Sequence, residues 1–132
     1  MNPPASDGPL RVINTSRGSV LAERAELAAS ARQRMRGLLG RDGLEPGGGL
    51  YISPCTSIHS CGMRFVFDAV FVDRGGRVLH LISRMKKWRL SRIVPRAAGV
   101  LELPAGTLER SATEKGDRLA FAPAAPPSQP SP

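Results

Sequence analysis

The sequence predicts an α+β domain: a mainly antiparallel, strongly curved β sheet or small barrel, with one amphipathic helix and one short helix. Three observations predict it. Short apolar or alternating runs, bounded by Gly, Pro, Asn or Asp, recur from Leu10 to Phe121. One segment, after Ser30, carries apolar residues at helical spacing through a full stripe. At 132 residues the chain supports a single core, and a sheet that curls or closes on itself buries such a core without a second layer.

Residues 10–14 and 19–22 are short and partly β-branched, with Ser16, Arg17 and Gly18 between them, which predicts a first hairpin. Ser30 is placed as an N-cap. Ala31, Met35, Leu38 and Leu39 follow at i, i+4, i+7 and i+8, and Gly40 stands where the helix should end. The four glycines and Pro46 of residues 43–49 predict a loop, which delivers Leu50, Tyr51 and Ile52 as a strand stopped by Pro54. Residues 65–72 are apolar on both faces, apart from Asp68, and so belong inside a sheet rather than at its edge. The turn Asp73-Arg74-Gly75-Gly76 sends residues 77–82 back as its hairpin partner. Residues 99–103 form a further strand ended by Pro104. Residues 105–111 make a short helix, and Lys115-Gly116-Asp117 turns into a last strand with Leu119 and Phe121 inward.

The domain is bounded at residues 9–122. Residues 1–8 and the proline-rich residues 123–132 are too poor in apolar side chains to order themselves and are expected to be disordered. No apolar run approaches the ~18 residues needed to cross a bilayer, and the opening is too polar for a signal peptide, so a cytoplasmic protein is expected. The net charge is +8, from 19 basic and 11 acidic residues. Polyanions are therefore conceivable partners, although 16 of the 19 are Arg, which a codon bias would also produce. Two cysteines cannot make the disulfide framework of a small secreted domain and are read as reduced thiols.

Reactive side chains concentrate in residues 55–68, Cys-Thr-Ser-Ile-His-Ser-Cys-Gly-Met-Arg-Phe-Val-Phe-Asp. On an extended chain His59, Cys61 and Met63 share one face, a soft-ligand set suited to monovalent copper that Cys55 or His80 would complete. The spacing matches no standard zinc arrangement. Cys61, with His59 two residues before it and Arg64 three after, holds the raw parts of a thiol enzyme. Filler roles for Met63 and Cys61, and a backbone-bonded His59, are the simpler account. Asp68 must be solvated or paired. Arg64 shares its strand parity, but contact between them requires a bulge; other donors, including backbone N–H groups, would serve. The functional alternative has Arg64, Asp68 and His59 lining a pocket for a small polar or anionic ligand.

Residues 84–96 hold six basic side chains and no acidic one, Arg84, Lys86, Lys87, Arg89, Arg92 and Arg96, around the sole tryptophan, Trp88. Such a loop can grip phosphates or stack on a base. A solvated loop with Trp88 packed onto the sheet is the plainer expectation. Phosphate-loop and dinucleotide fingerprints are absent, because Gly47-Gly48-Gly49 precedes a strand. So are Gly-x-Ser-x-Gly, His-Glu-x-x-His and a close carboxylate pair.

Several segments in order resemble the bacterial and archaeal domain of unknown function 192: Arg-Gly-Leu-Leu-Gly-Arg (36–41), Ile-His-Ser-Cys-Gly-Met-Arg-Phe (58–65), Asp-Ala-Val-Phe-Val-Asp with Gly-Arg-Val (68–78), Val-Leu-Glu-Leu-Pro-Ala-Gly (100–106) and Gly-Asp-Arg-Leu (116–119). The resemblance spans residues 29–121. It implies a compact, mainly antiparallel β domain and no assigned activity. By the same resemblance, His59, Met63, Arg64, Asp68, Glu102 and Gly106 are the shared positions, whereas Cys61 and Val66 depart from the pattern.

The leading reading is a noncatalytic module that binds a small polar or anionic ligand, or a protein segment, through His59, Met63, Arg64, Asp68, Trp88 and Glu102, with no cofactor implied. One alternative is a thiol- or metal-dependent enzyme using Cys61 and His59, with Cys55, His59 and Cys61 the candidate metal ligands. The other is a basic protein that contacts nucleic acid.

Overall fold

Turn chemistry and period-two alternation produce seven strands and two short helices along the chain. They are β1 (Leu10–Asn14), β2 (Ser19–Ala28), α1 (Ala31–Arg36), β3 (Gly48–Ile52), β4 (Phe67–Val72), β5 (Val78–Met85), β6 (Gly99–Pro104), α2 (Thr107–Ser111) and β7 (Leu119–Pro123). The computed structural model describes residues 8–125. Most of the two segments expected to be disordered, residues 1–7 and 126–132, therefore lies outside the described residues. Pro123, placed in the tail by composition, instead pairs with Leu10 at the end of β7, and the Ala124 N–H donates to the Pro9 carbonyl at 2.9 Å.

The strands form one sheet in the order β5-β4-β6-β3-β2-β1-β7. Pairing is antiparallel except between β2 and β3, which run parallel. That exception follows from the connection: the chain crosses over through α1 and its glycine-rich loop before re-entering beside β2. The sheet curls into a half-barrel. Tyr51 on β3 and Phe121 on β7 stand three strands apart, about 14 Å in a flat sheet, yet their ring centroids are 4.7 Å apart.

The two edges meet at one end. The Val78 N–H donates to the Asp117 carbonyl at 2.8 Å and the Leu119 N–H to the Gly76 carbonyl at 2.7 Å, around a bridge between Arg77 and Arg118. Beside this seam the buried Asp117 carboxylate accepts from Arg17 Nε at 3.0 Å, Asn14 Nδ2 at 2.9 Å and the Glu114 N–H at 2.9 Å. The Arg17 hydrogen bond, with those from Asn14 and Glu114, holds its pKa at about 2.

Strands β4 and β6 are buried on both faces. Val70, Val72, Leu101 and Leu103 join the core inside the curl, with Tyr51, Leu119 and Phe121. Phe67, Ala69, Phe71 and Val100 face the other way into a second core, closed by Ile58, Met63, Val94 and Ala97 from the connecting segments. The fully apolar reading of residues 65–72 is explained by these two covers, and β4 lies inside the sheet as expected.

Two elements differ from expectation. The helix after Ser30 has the predicted cap, a capping box in which the Ser30 side chain accepts from the Gln33 N–H and Gln33 reciprocates. It stops after six residues, however, because Gly37 takes φ +49° and ends it one turn before Gly40. Its apolar stripe buries nothing on the helix itself, and Met35 is 80% exposed. Strand β2 runs six residues past Ala22, with its charged side chains held at the surface by Arg11–Glu23 and Arg41–Glu26 ion pairs. Among the described residues no helix is long and apolar enough to cross a membrane.

Gly76 makes the seam possible. Its φ is +83°, and a Cβ there would overlap the Leu119 carbonyl oxygen that lies across the meeting edges. The substitution Gly76→Ala is expected to lower unfolding stability by roughly 2–4 kcal/mol, measured by urea denaturation. Gly18→Ala, with a left-handed backbone but open space around it, should cost less.

Candidate functional site

The segments that cover the outer face of β4 and β6 leave a groove of about 550 Å³. Its rim comes from α1 and the turn after it, through Arg34, Met35, Gly37, Leu38 and Leu39. Its opposite wall comes from residues 54–59 and Met63, and its floor from Ile52 on β3 and Glu102 on β6. The volume falls within the range usual for small-molecule sites, about 300–1,000 Å³.

Glu102 is the chemical centre of the groove. Strand alternation turns it away from Leu101 and Leu103 and onto the outer face, where its cross-strand neighbours are Leu50 on β3 and Ala69 on β4. Neither offers a donor. The side chain is almost wholly buried, at 4% exposure, and its carboxyl has no hydrogen bond among the described residues. Burial pushes its pKa up to about 8, against a weak opposing pull from Arg41, whose guanidinium is engaged by Glu26 at 2.7 Å. At neutral pH the group is mostly the uncharged acid, able to donate one hydrogen bond through its O–H and to accept through its carbonyl oxygen.

A second unpartnered group lines the same groove. Arg34 donates through Nη1 to the Pro54 carbonyl at 3.3 Å, while its Nε is buried with no hydrogen-bond partner among the described residues. Cys55 lies between the two, within electrostatic range of both. Burial pushes its thiol up, a hydrogen bond from the Ser57 backbone opposes this, Glu102 raises it further and Arg34 lowers it; the thiol itself donates to the Ser57 carbonyl at 3.0 Å, a bond that only its protonated form can make. The thiol is therefore kept protonated rather than activated.

The residues singled out from the sequence separate into three places. His59, Met63 and Glu102 line the groove, as does Cys55. Arg64 does not: it is exposed and pairs with Asp42 at 2.9 Å. Asp68 does not either. It is fully buried on the inner face, where Oδ1 accepts from the Arg84 N–H at 2.8 Å and Oδ2 from the Gly106 and Leu108 N–H groups at 3.1 and 2.9 Å. The pocket in which His59, Arg64 and Asp68 converge is thus not formed, because backbone donors satisfy Asp68 from the far side of β4. Trp88 stands outside the groove and is 68% exposed, not packed onto the sheet.

The soft-ligand face is also not formed. The Met63 N–H donates to the Ser60 carbonyl at 3.1 Å, a turn through Gly62 at φ +80°, and this breaks the period of two that would align His59, Cys61 and Met63. His59 Nδ1 accepts the backbone N–H of Cys61 at 3.2 Å, so the ring engages that residue's backbone and not its thiol. Among the described residues no three His, Cys, Asp or Glu side chains are grouped to hold a metal ion, so Cys55, His59 and Cys61 make no ligand set. His80, the other residue considered for that set, packs its ring on Phe71 at 5.3 Å. Arg34 went unread in the sequence, where nothing separates it from the neighbouring arginines. Glu102 carries a signal of its own, a lone acid in the apolar run Val100-Leu101-Glu102-Leu103.

The model of the domain of unknown function 192 (DUF192, "Uncharacterized ACR") matches residues 12–121. The chain belongs to this family. No curated protein matches it. Two solved structures share the fold of this family member. One is a protein of unknown function from Novosphingobium aromaticivorans, 22% identical, with a TM-score of 0.73 and 91% of each chain covered. The other is a protein from Sinorhizobium meliloti called a "putative transcription regulator", 27% identical, with a TM-score of 0.71, covering 86% of this chain and 92% of that one.

The two buried carboxyls should respond oppositely to the same chemical change. Asp68→Asn aims an amide at backbone donors and is expected to cost about 3 kcal/mol. Glu102→Gln should match the parent at pH 4, where both side chains are neutral. For an acid whose folded pKa is raised, the folded protein holds the extra proton between the unfolded and folded values, so stability falls as pH rises through that window. The Gln variant escapes this loss and should gain roughly 4 kcal/mol over the parent by pH 8. Denaturant titrations of both proteins from pH 4 to 8 measure the difference directly.

Proposed function

We propose that this protein is a noncatalytic binding module whose groove takes a small organic molecule with an apolar body. The molecule carries a hydrogen-bonding group for the Glu102 carboxyl and an acceptor, carboxylate or carbonyl, for Arg34. The observation that carries this reading is the Glu102 carboxyl itself, buried at the floor of an open groove with no partner among the described residues. Leaving a buried polar atom such as Arg34 Nε unpaired costs about 1–3 kcal/mol, and a ligand that pairs it recovers that free energy on binding. Ile52, Ile58, Leu38 and Met63 supply apolar walls, and Met35, exposed and unbranched, offers a conformable rim.

His59, Met63 and Glu102 carry over from the sequence reading into this site, and Arg34 joins them. The thiol-enzyme alternative draws less support. Burial raises the Cys55 thiol, and His59 engages the backbone of Cys61.

Backbone amide NMR spectra recorded with a panel of zwitterionic amino acids, hydroxy acids and monosaccharides test the proposal. At least one class should shift resonances of residues 37–39 and 55–59 at submillimolar to millimolar concentration. Glu102→Ala should weaken that class about tenfold, the equivalent of one hydrogen bond. Shifts scattered over the surface, or affinities indifferent to Glu102, would refute it.

A further inference from the structure

Beyond the groove, we infer that the segment from Lys86 to Arg96 is a docking surface for an anionic lipid bilayer. Three of the largest exposed apolar side chains fall within six positions of one another there: Trp88 at 68%, Leu90 at 79% and Ile93 at 67% exposure. Such side chains standing in water are ordinary when scattered and call for a partner when clustered.

Their exposure is built in. The buried Ser60 accepts from the Trp88 N–H through its carbonyl at 3.3 Å, donates its own N–H to the Arg89 carbonyl at 2.9 Å, and takes the Arg89 N–H on its hydroxyl at 2.9 Å. The same hydroxyl donates to the Lys86 carbonyl. Ser91 and Val94 donate their N–H groups to the carbonyls of Ile58 and Thr56, at 2.9 and 2.8 Å. This lacing holds Trp88 in the left-handed region, at φ +60°, and Leu90 bridges to His59 through its backbone. With the main chain fixed this way, the three side chains remain outside the core.

The charge around them selects the partner. Lys86, Lys87, Arg89, Arg92 and Arg96 are exposed, and none has an acidic partner among the described residues; Arg84, by contrast, pairs with Glu109. An indole and two aliphatic chains ringed by cations match the interface of a membrane carrying negative headgroups, where Trp prefers the boundary and Lys and Arg meet phosphates. A nucleic acid fits less well. Leu90 and Ile93 have neither a ring face for a base nor a hydrogen bond for its edge, and stacking would fall to Trp88 alone.

Trp88 is the sole tryptophan, so its emission reports its own surroundings. The full chain is mixed with vesicles of phosphatidylcholine alone, with vesicles holding about a quarter phosphatidylglycerol, and with a single-stranded oligonucleotide. The expected result is a blue shift and co-sedimentation with the anionic vesicles only, weakened by salt. Each cation removed should weaken binding roughly fivefold, so the triple variant Lys86→Gln, Lys87→Gln, Arg89→Gln should lose about a hundredfold. Leu90→Ser with Ile93→Ser should lose at least about tenfold with an unchanged melting temperature, because both positions are exposed. No binding to anionic vesicles overturns the inference, as does binding indifferent to Leu90 and Ile93. Oligonucleotide binding without any vesicle shift also overturns it and reassigns the loop. None of these outcomes bears on the groove, whose amide shifts are read separately in the same variants.

Discussion

Covering β4 and β6 on both faces is the constraint from which the remaining chemistry follows. A sheet with one wet face lets every polar side chain turn outward; here both sides of these two strands are covered, except where the groove opens onto the outer face of β6 at Glu102. Each carries one carboxyl, and the two point to opposite faces. Asp68 enters the inner core, where the end of β5 and the start of α2 bring three backbone N–H groups around it. The carboxylate is thereby a tie between three elements, and the donors it satisfies include N–H groups that the first turn of a helix leaves without an intrahelical partner. Glu102 enters the outer layer between Leu50 and Ala69, where the pairing partners of its neighbours supply no donor. Equivalent side-chain chemistry, one strand apart, therefore becomes structural in one place and available in the other.

The outer layer is made of connecting segments rather than a helix or second sheet, and this shapes the surface as well as the interior. Irregular chain has no internal ladder, so its N–H and carbonyl groups must find one another across segments. Ser60 does most of that joining, through both its backbone and its hydroxyl, which explains how a serine comes to be completely buried. Ile58, Met63, Val94 and Ala97 point down into the second core from the same segments. The same lacing leaves Trp88, Leu90 and Ile93 directed away from it. The groove opens where this layer and the rim after α1 leave the outer face of β6 incompletely covered.

Much of the framework was legible because it rests on local chemistry. Ser30 with Gln33, the Asp73 to Gly76 turn and the unbroken apolar run of β4 each declare their element within a few residues. The misreadings come from tertiary partners. Glu23, Arg24 and Glu26 disguise the length of β2, since they interrupt its apolar pattern and are tolerated because those positions face solvent. Gly37 and Gly40 are equally good helix stops by composition, and the packing of Leu38 selects the earlier one. At the site, the run from residue 55 to 68 supplies Cys55, His59 and Met63 to the groove, but the extended conformation expected across Gly62 is not formed, because the chain turns there. That one turn separates Cys61 from the groove and keeps Met63 in it. Asp68 and Glu102 were both visible as acids in apolar strands; which of them lacked donors depends on α2 and β3, elements distant in sequence.

Residues 56–60 belong to both surfaces at once. Thr56, Ser57, Ile58 and His59 line the groove, and the backbone of Thr56, Ile58 and Ser60 holds the 86–94 segment in place. A ligand that draws this wall inward must carry the attached loop with it or break backbone hydrogen bonds within a buried layer. A surface that immobilises the loop restricts the same wall in return. Any free-energy coupling between the two is equal in both directions by thermodynamic linkage, and its size is set by how far the wall moves on ligand binding. Because Ile58 and Met63 are packed against the second core, that movement is small unless Met35 and the rim after α1 adjust instead. The exposed, six-residue α1 is the softer side of the groove, since none of its residues is buried. Adaptation to a ligand therefore falls on the rim, and the 56–60 wall, with the loop laced to it, behaves as the rigid half of the site.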